Sequence, residues 1–180
     1  SQAYGEGPGG TASAWDRLLL IELPKPWPAA VVESRRFPEG VSEVLDRAEK
    51  RGASVKLQCM EPDREYSVEG HARVMFFSRP QGPFAAYRKD EFVVPTHEIG
   101  AVAEALIEQP DRTRQFDSHR QDTTHIRDML VCTHGTHDSC CGTFGFPVYN
   151  ALRTKYTADL GGTIRAWRVS HIGGHRFAPN

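Results

Sequence analysis

The sequence predicts an α/β protein built in two lobes. Three observations carry this. Apolar runs of strand length alternate with stretches of helical spacing, a polar aperiodic stretch at 111–122 separates two such series, and 39% hydrophobic residues in a chain of 180 suffice for a packed core. The lobes are expected at 11–110 and 123–180, with 111–122 as the linker. A formal net charge of -1 provides no basic field for nucleic acid, and no apolar run approaches the ~20 residues of a membrane span.

In the first lobe, Trp15 to Leu23 is an apolar run braked by Pro24, Pro26 and Pro28, which reads as a strand leading into a loop. Val41, Val44, Leu45 and Ala48 have helical spacing, with Ser42 as the expected cap and Gly52 as the stop. Ser54 to Met60 reads as a strand in which Cys59, among apolar neighbours, acts as a small buried hydrophobe. His71–Phe77 and Phe84–Val94 read as the arms of a hairpin turning at 80–83, and Thr96–Ile107 carries the apolar stripe of a helix. The order strand, helix, strand, hairpin, helix is that of a reduced thioredoxin-like lobe. It contains no cluster of metal ligands.

In the second lobe Asp128 to Val131 is a short strand aimed at Cys132. A loop is expected next, then a helix from Phe146 to Tyr156 with Pro147 in its first turn, then a strand from Thr163 to Val169 that delivers His171. His119 and His125 read as surface residues. Cys132, His134, His137, Cys140 and Cys141 thus follow one strand, and His171 and His175 follow another, at the ends where open α/β sheets bind ligands. Gly173 and Gly174 argue against a helix between the last two histidines and leave room beside their rings. Two thiolates and two imidazoles suit a closed tetrahedral zinc, or an iron-sulfur cluster with histidines replacing two cysteines on one iron. Either Cys140 or Cys141 can supply the second thiolate, because spacing does not choose between seven and eight intervening residues after Cys132.

The run Cys-Thr-His-Gly-x-x-Asp-x-Cys-Cys-Gly-x-x-Gly from Cys132, and Arg-x-x-Arg-x-Ser-His-Ile-Gly-Gly-His-Arg-Phe-Ala-Pro from Arg165, resemble the sucrase/ferredoxin-like family. Gly10-Thr11-Ala12, the Leu-rich run and Pro26-Trp27 extend the likeness to most of the chain. The resemblance implies a thioredoxin-like fold and a 2Fe-2S cluster held by Cys132, Cys141, His171 and His175, with Cys140 left as a neighbour. His134, His137 and Asp138 lie on the ligand loop and are expected to orient a ligand or donate hydrogen bonds toward it. The family pattern continues with a strand hairpin, whereas this sequence stops at Asn180: either a tail is left out or the second lobe is incomplete there, and an incomplete lobe would leave the edge of the Thr163 to Val169 strand unpaired.

The function this implies is one-electron transfer, coupled to protons through the imidazole ligands, by a carrier rather than a stand-alone catalyst. Its counterpart would be a redox partner protein or a small redox-active acceptor, and oligomers remain open. Arg165, Arg168 and Arg176 stand near the histidines in sequence, either to favour the reduced state, to dock an acidic partner, or as solvated surface residues. A zinc-stabilised Cys2His2 interaction domain and a thiol-disulfide oxidoreductase are the alternatives; the latter lacks a Cys-x-x-Cys motif. No secretory signal is visible in residues 1–10, and the clustered cysteines do not form the spread framework of a secreted domain, so a reducing, cytoplasmic setting is expected.

Overall fold

A computed structural model describes residues 15–82, 86–157 and 162–173 of the chain. The architecture is mixed α/β and thioredoxin-like. The chain divides into two compact units, one made of 15–25 and 32–125, the other of 26–31 with the residues from 126 onward. Over most of the expected linker 111–122 the chain is regular: Pro110–His119 winds as a 3-10 helix and belongs to the larger unit. Its sequence has no helical periodicity because a 3-10 turn follows a three-residue repeat and buries none of these side chains.

In the larger unit β1 (Arg17–Glu22) pairs in parallel with β2 (Lys56–Met60) and antiparallel with β3 (His71–Ser78), which forms a hairpin with β4 (Arg88–Pro95). The end of the expected turn and the start of the expected second hairpin arm, 83–85, lie outside the described residues. The interior is apolar along Leu19, Leu20, Ile21, Val74, Met75 and Phe92, all fully buried. Helix α1 (Val41–Lys50) buries Val41, Val44 and Ala48, the face its spacing announces. Its cap is Gly40 at φ 82, not Ser42: the chain enters α1 through a left-handed residue, and no side chain caps the first turn. Helix α2 (Ile99–Glu108) is tied to α1 by Arg47 and Arg51, which both reach Glu108. Gly100 permits a close approach, since a Cβ there would stand 2.2 Å from the Glu39 carbonyl oxygen.

The larger unit also contains a buried charged network. Glu22 accepts hydrogen bonds from the Ser67 hydroxyl and the Arg73 N–H, the Arg73 guanidinium pairs with Glu91, and Lys89 stands 3.7 Å from the same carboxylate. Thr123 donates to the other Glu91 oxygen. Burial raises the Glu22 carboxyl above its ordinary value, opposed by its bonds to Ser67 and Arg73.

In the smaller unit β5 (Arg127–Cys132) runs parallel to β6 (Ile164–Val169), with Cys132 opposite Val169. The connection contains α3 (Ser139–Ala151), which continues through a π-helical turn, Leu152–Tyr156. The helix therefore begins seven residues before the expected Phe146, and the stretch read as a loop contains its first turns. The cause is Asp138, whose carboxylate accepts the Cys140 N–H and caps the helix. Pro147 consequently lies inside α3 rather than in its first turn, contributing no N–H to the helical ladder. Val131, Tyr149 and Ala166, with Leu152 against them, form the core between helix and strands.

Candidate metal centre

Cys132 is the last residue of β5 and 2% exposed. The N–H of Thr133 still reaches the Val169 carbonyl at 3.1 Å, so the thiol leaves the sheet at a backbone position held by ladder bonds. Cys141 sits in the first turn of α3, also 2% exposed, and helical spacing puts Cys141, Gly145 and Tyr149 on one buried side of the helix. Cys140 lies one position around the helix and is only partly buried. Gly145 decides how near the helix comes: a Cβ there would lie 1.9 Å from the Cys132 carbonyl oxygen, so any other residue would push α3 and its thiol away. Gly142 makes a second close approach, its would-be Cβ 3.0 Å from Gly135 Cα.

His171 follows β6 directly. Its Nδ1 stands 3.5 Å from the Cys141 sulfur and 4.0 Å from the Cys132 sulfur. The donor atoms of Cys132, Cys141 and His171 all lie within 4.8 Å of one another, and they are the group among the described residues that could hold a metal ion. Cys140 is not part of it. His175 lies outside the described residues, as does Arg176.

Burial is the largest influence on the Cys141 thiol and raises its pKa, and the neighbouring Cys132 thiol adds to the rise. Two thiolates facing each other in a dry site need a cation between them, so this site would release protons as a metal enters. The donor set fits such a group: two sulfurs and an imidazole nitrogen are ligands for zinc and for iron-sulfur clusters alike. Cys59 provides the contrast, a fully buried β2 thiol whose surroundings push it up to about 12, with no donor group of this kind around it. Cys140 is also raised, chiefly by its hydrogen bond to Asp138.

The other residues singled out on the ligand loop are placed individually. His134 is buried and accepts the His171 N–H on Nδ1 at 3.2 Å. His137 is exposed, and its ring stacks on that of His171 with centroids 4.1 Å apart and planes 19° apart. Asp138 caps α3. His119 and His125 do not join the site, the former half-buried and the latter exposed. Arg165, read as a surface or docking residue, is instead buried: it pairs with Asp128 at 2.8 Å, an oxygen that also accepts the Trp167 indole N–H. Arg168 lies over the Phe146 and Tyr149 rings. The sequence reading did not find Trp27, Pro28 and Ala29, whose carbonyls accept from this loop. What they give to these bonds is backbone oxygen, which leaves no residue-type signal.

Among the described residues no helix is long and apolar enough to cross a membrane. Residues 8–180 match the family model described as sucrase/ferredoxin-like. No curated protein and no solved structure matches the chain.

Proposed function

Because the chain belongs to the sucrase/ferredoxin-like family, we propose that it is a one-electron carrier holding a 2Fe-2S cluster on Cys132, Cys141, His171 and His175. The observation that carries the reading is the convergence of the Cys132 thiol at the end of β5, the Cys141 thiol in the first turn of α3 and the His171 imidazole just after β6. When bound, the cluster supplies a centre that takes up and returns one electron at a time. The chain supplies the setting. Cys132 and Cys141 provide thiolates screened from water, and His171 turns Nδ1 toward them, so its ring proton would be held on Nε2. Neutral imidazoles in place of thiolates lower the negative charge around the iron and raise the potential above that of an all-cysteine site. The proton on Nε2 would be held more tightly after reduction, which couples electron uptake to a proton. A redox protein or a small acceptor would be the counterpart, in a reducing, cytoplasmic setting where these thiols stay free.

One observation favours a second reading. Bonds of about 2.0 to 2.3 Å to a single tetrahedral ion put its donors about 3.3 to 3.8 Å apart. The sulfur-to-nitrogen distances of 3.5 and 4.0 Å are near that span, so a structural zinc fits the three described donors as they stand. Visible absorption with iron, acid-labile sulfide and zinc analysis separates the two. A brown protein with iron and sulfide in equal amounts is the expected result, and a colourless protein with one zinc would overturn the cluster in favour of the zinc.

A further inference from the structure

Residues 27–29 turn three successive carbonyls toward the loop after Cys132. The Thr136 hydroxyl donates to the Trp27 carbonyl at 2.8 Å, His134 Nε2 lies 2.9 Å from the Pro28 carbonyl, and His137 Nδ1 lies 2.8 Å from the Ala29 carbonyl. A carbonyl oxygen only accepts, so His134 Nε2 and His137 Nδ1 each carry a hydrogen. The other His134 nitrogen, Nδ1, meets the backbone N–H of His171 at 3.2 Å. An amide N–H only donates, so this nitrogen offers its lone pair. Both partners therefore require one state of His134, a neutral ring with its proton on Nε2. The ring is 2% exposed, and Trp27 packs against it edge to face with centroids 5.4 Å apart.

His171 needs such a hold. It stands two residues beyond Val169, the last residue of β6, and two before Gly173, which adopts φ 105. The sheet ladder between the strands has ended with the bond from Thr133 N–H to the Val169 carbonyl. We propose that His134 is a positioning residue for the metal centre: anchored on Pro28, it fixes the main chain of His171 and thereby the direction in which His171 presents Nδ1 to the Cys132 and Cys141 sulfurs. The stack of His137 on the His171 ring, with His137 anchored on Ala29, restrains the same side chain from a second direction. The proposal rests on reading Cys132, Cys141 and His171 as metal donors, and it holds for a cluster or a single ion.

Amide side chains can separate the two halves of this role. Asparagine places an acceptor near the position of Nδ1 and keeps the bond to the His171 N–H, whereas glutamine places a donor near Nε2 and keeps only the bond to Pro28. The experiment loads the full chain with cobalt(II), whose d–d and thiolate-to-metal absorption bands report the geometry of the donors, and compares wild type with His134→Asn, His134→Gln and His134→Ala. Wild-type bands and cobalt affinity in His134→Asn, with shifted bands and affinity about tenfold weaker in His134→Gln and His134→Ala, are expected. A His134→Gln protein matching wild type, or Asn and Gln variants displaced alike, would overturn the positioning role. If the variants do not fold, the wild type decides: the histidine nitrogen-15 spectrum of its zinc-loaded form should show His134 neutral with its proton on Nε2, and a proton on Nδ1 would sink the idea. Wild-type protein that binds neither cobalt nor zinc overturns the donor assignment itself, and with it the proposal. Indifferent variants of a protein that does bind cobalt overturn only the role of His134.

Discussion

The two units achieve order by different means. The larger one has four paired strands, an interior that is apolar along Leu19, Leu20, Ile21, Val74 and Met75 beside the buried Glu22–Arg73–Glu91 network, and two helices tied to each other by Arg47, Arg51 and Glu108. In the smaller one two strands and one helix enclose the cluster of Val131, Tyr149 and Ala166, and much of the rest is fixed by directional bonds from His134, Thr136, His137 and Asp138. Where a metal is bound, its binding adds directly to the folding free energy of the unit that holds the donors. The pair therefore separates a region that should stand without metal from one that should depend on it.

The largest effect expected concerns the thiols. Cys132→Ser and Cys141→Ser should abolish metal binding, while Cys140→Ser and Cys59→Ser retain it. Metal analysis reads the loss, and hydrogen exchange locates its consequence, with faster exchange in 126–157 and 162–173 and unchanged protection in β1 to β4. A colourless Cys140→Ser protein beside a loaded Cys141→Ser one would reverse the assignment, and faster exchange throughout the sheet of the larger unit would erase the contrast between the units.

A buried charge in the larger unit comes next. Arg73→Met leaves the Glu22 and Glu91 carboxylates without the guanidinium between them and should cost about 3 to 5 kcal/mol in denaturant unfolding. The metal absorption should not change. Altered absorption would show that the two regions are not independent.

Matched glycines give a finer test. Gly100→Ala drives a methyl group onto the Glu39 carbonyl and Gly145→Ala drives one onto the Cys132 carbonyl, each costing about 1 to 3 kcal/mol or more by forced backbone displacement. Only Gly145→Ala should weaken metal binding, as read by competition with a chelator, since only there does the displaced helix carry a ligand.

Smaller still is the response to pH. If His171 ligates through Nδ1, the potential should fall by about 59 mV per pH unit wherever one electron brings one proton, and lie flat below the pKa of the oxidised form. A redox titration that stays level through the alkaline limb would remove the coupling. In the larger unit the sign follows from Glu22. Burial holds its carboxyl above the ordinary 4.5, so the folded state keeps this proton to higher pH than the unfolded chain does. Its contribution is fully present below 4.5 and is lost as pH rises through the folded value, by at most about 1.4 kcal/mol per unit. Glu22→Gln should flatten that part of the stability curve.

Strands and helices of the larger unit were legible because apolar residues run consecutively along strands, as Leu18 to Ile21 do, and repeat every three to four positions along helices, as Val41, Val44 and Ala48 do. The 3-10 stretch Pro110–His119 was not, because it packs no stripe. At the site, residue types pointed to the ligands, but spacing alone could not separate Cys140 from Cys141. The separation lies in the start of α3: once Asp138 caps it, Cys141 shares a side with Gly145 and Cys140 does not. Arg165 was misread as a surface residue because its partner Asp128 stands 37 positions earlier, directly across the parallel pair. The carbonyls of residues 27–29 lay beyond sequence reading altogether, more than a hundred positions from the side chains they hold.

The early start of α3 has an electrostatic consequence. A helix ends in unsatisfied N–H groups equivalent to roughly half a positive charge at its amino end. Cys141 sits in that first turn, with the Asp138 carboxylate satisfying the Cys140 N–H and offsetting part of the field. The field opposes the effect of burial on the thiol and lowers the cost of holding a thiolate there. It would also favour any electron added beside that sulfur. Had the helix begun at Phe146, Cys141 would lie on loop and lose this bias, so the aspartate that sets the first turn also sets how readily the site accepts charge.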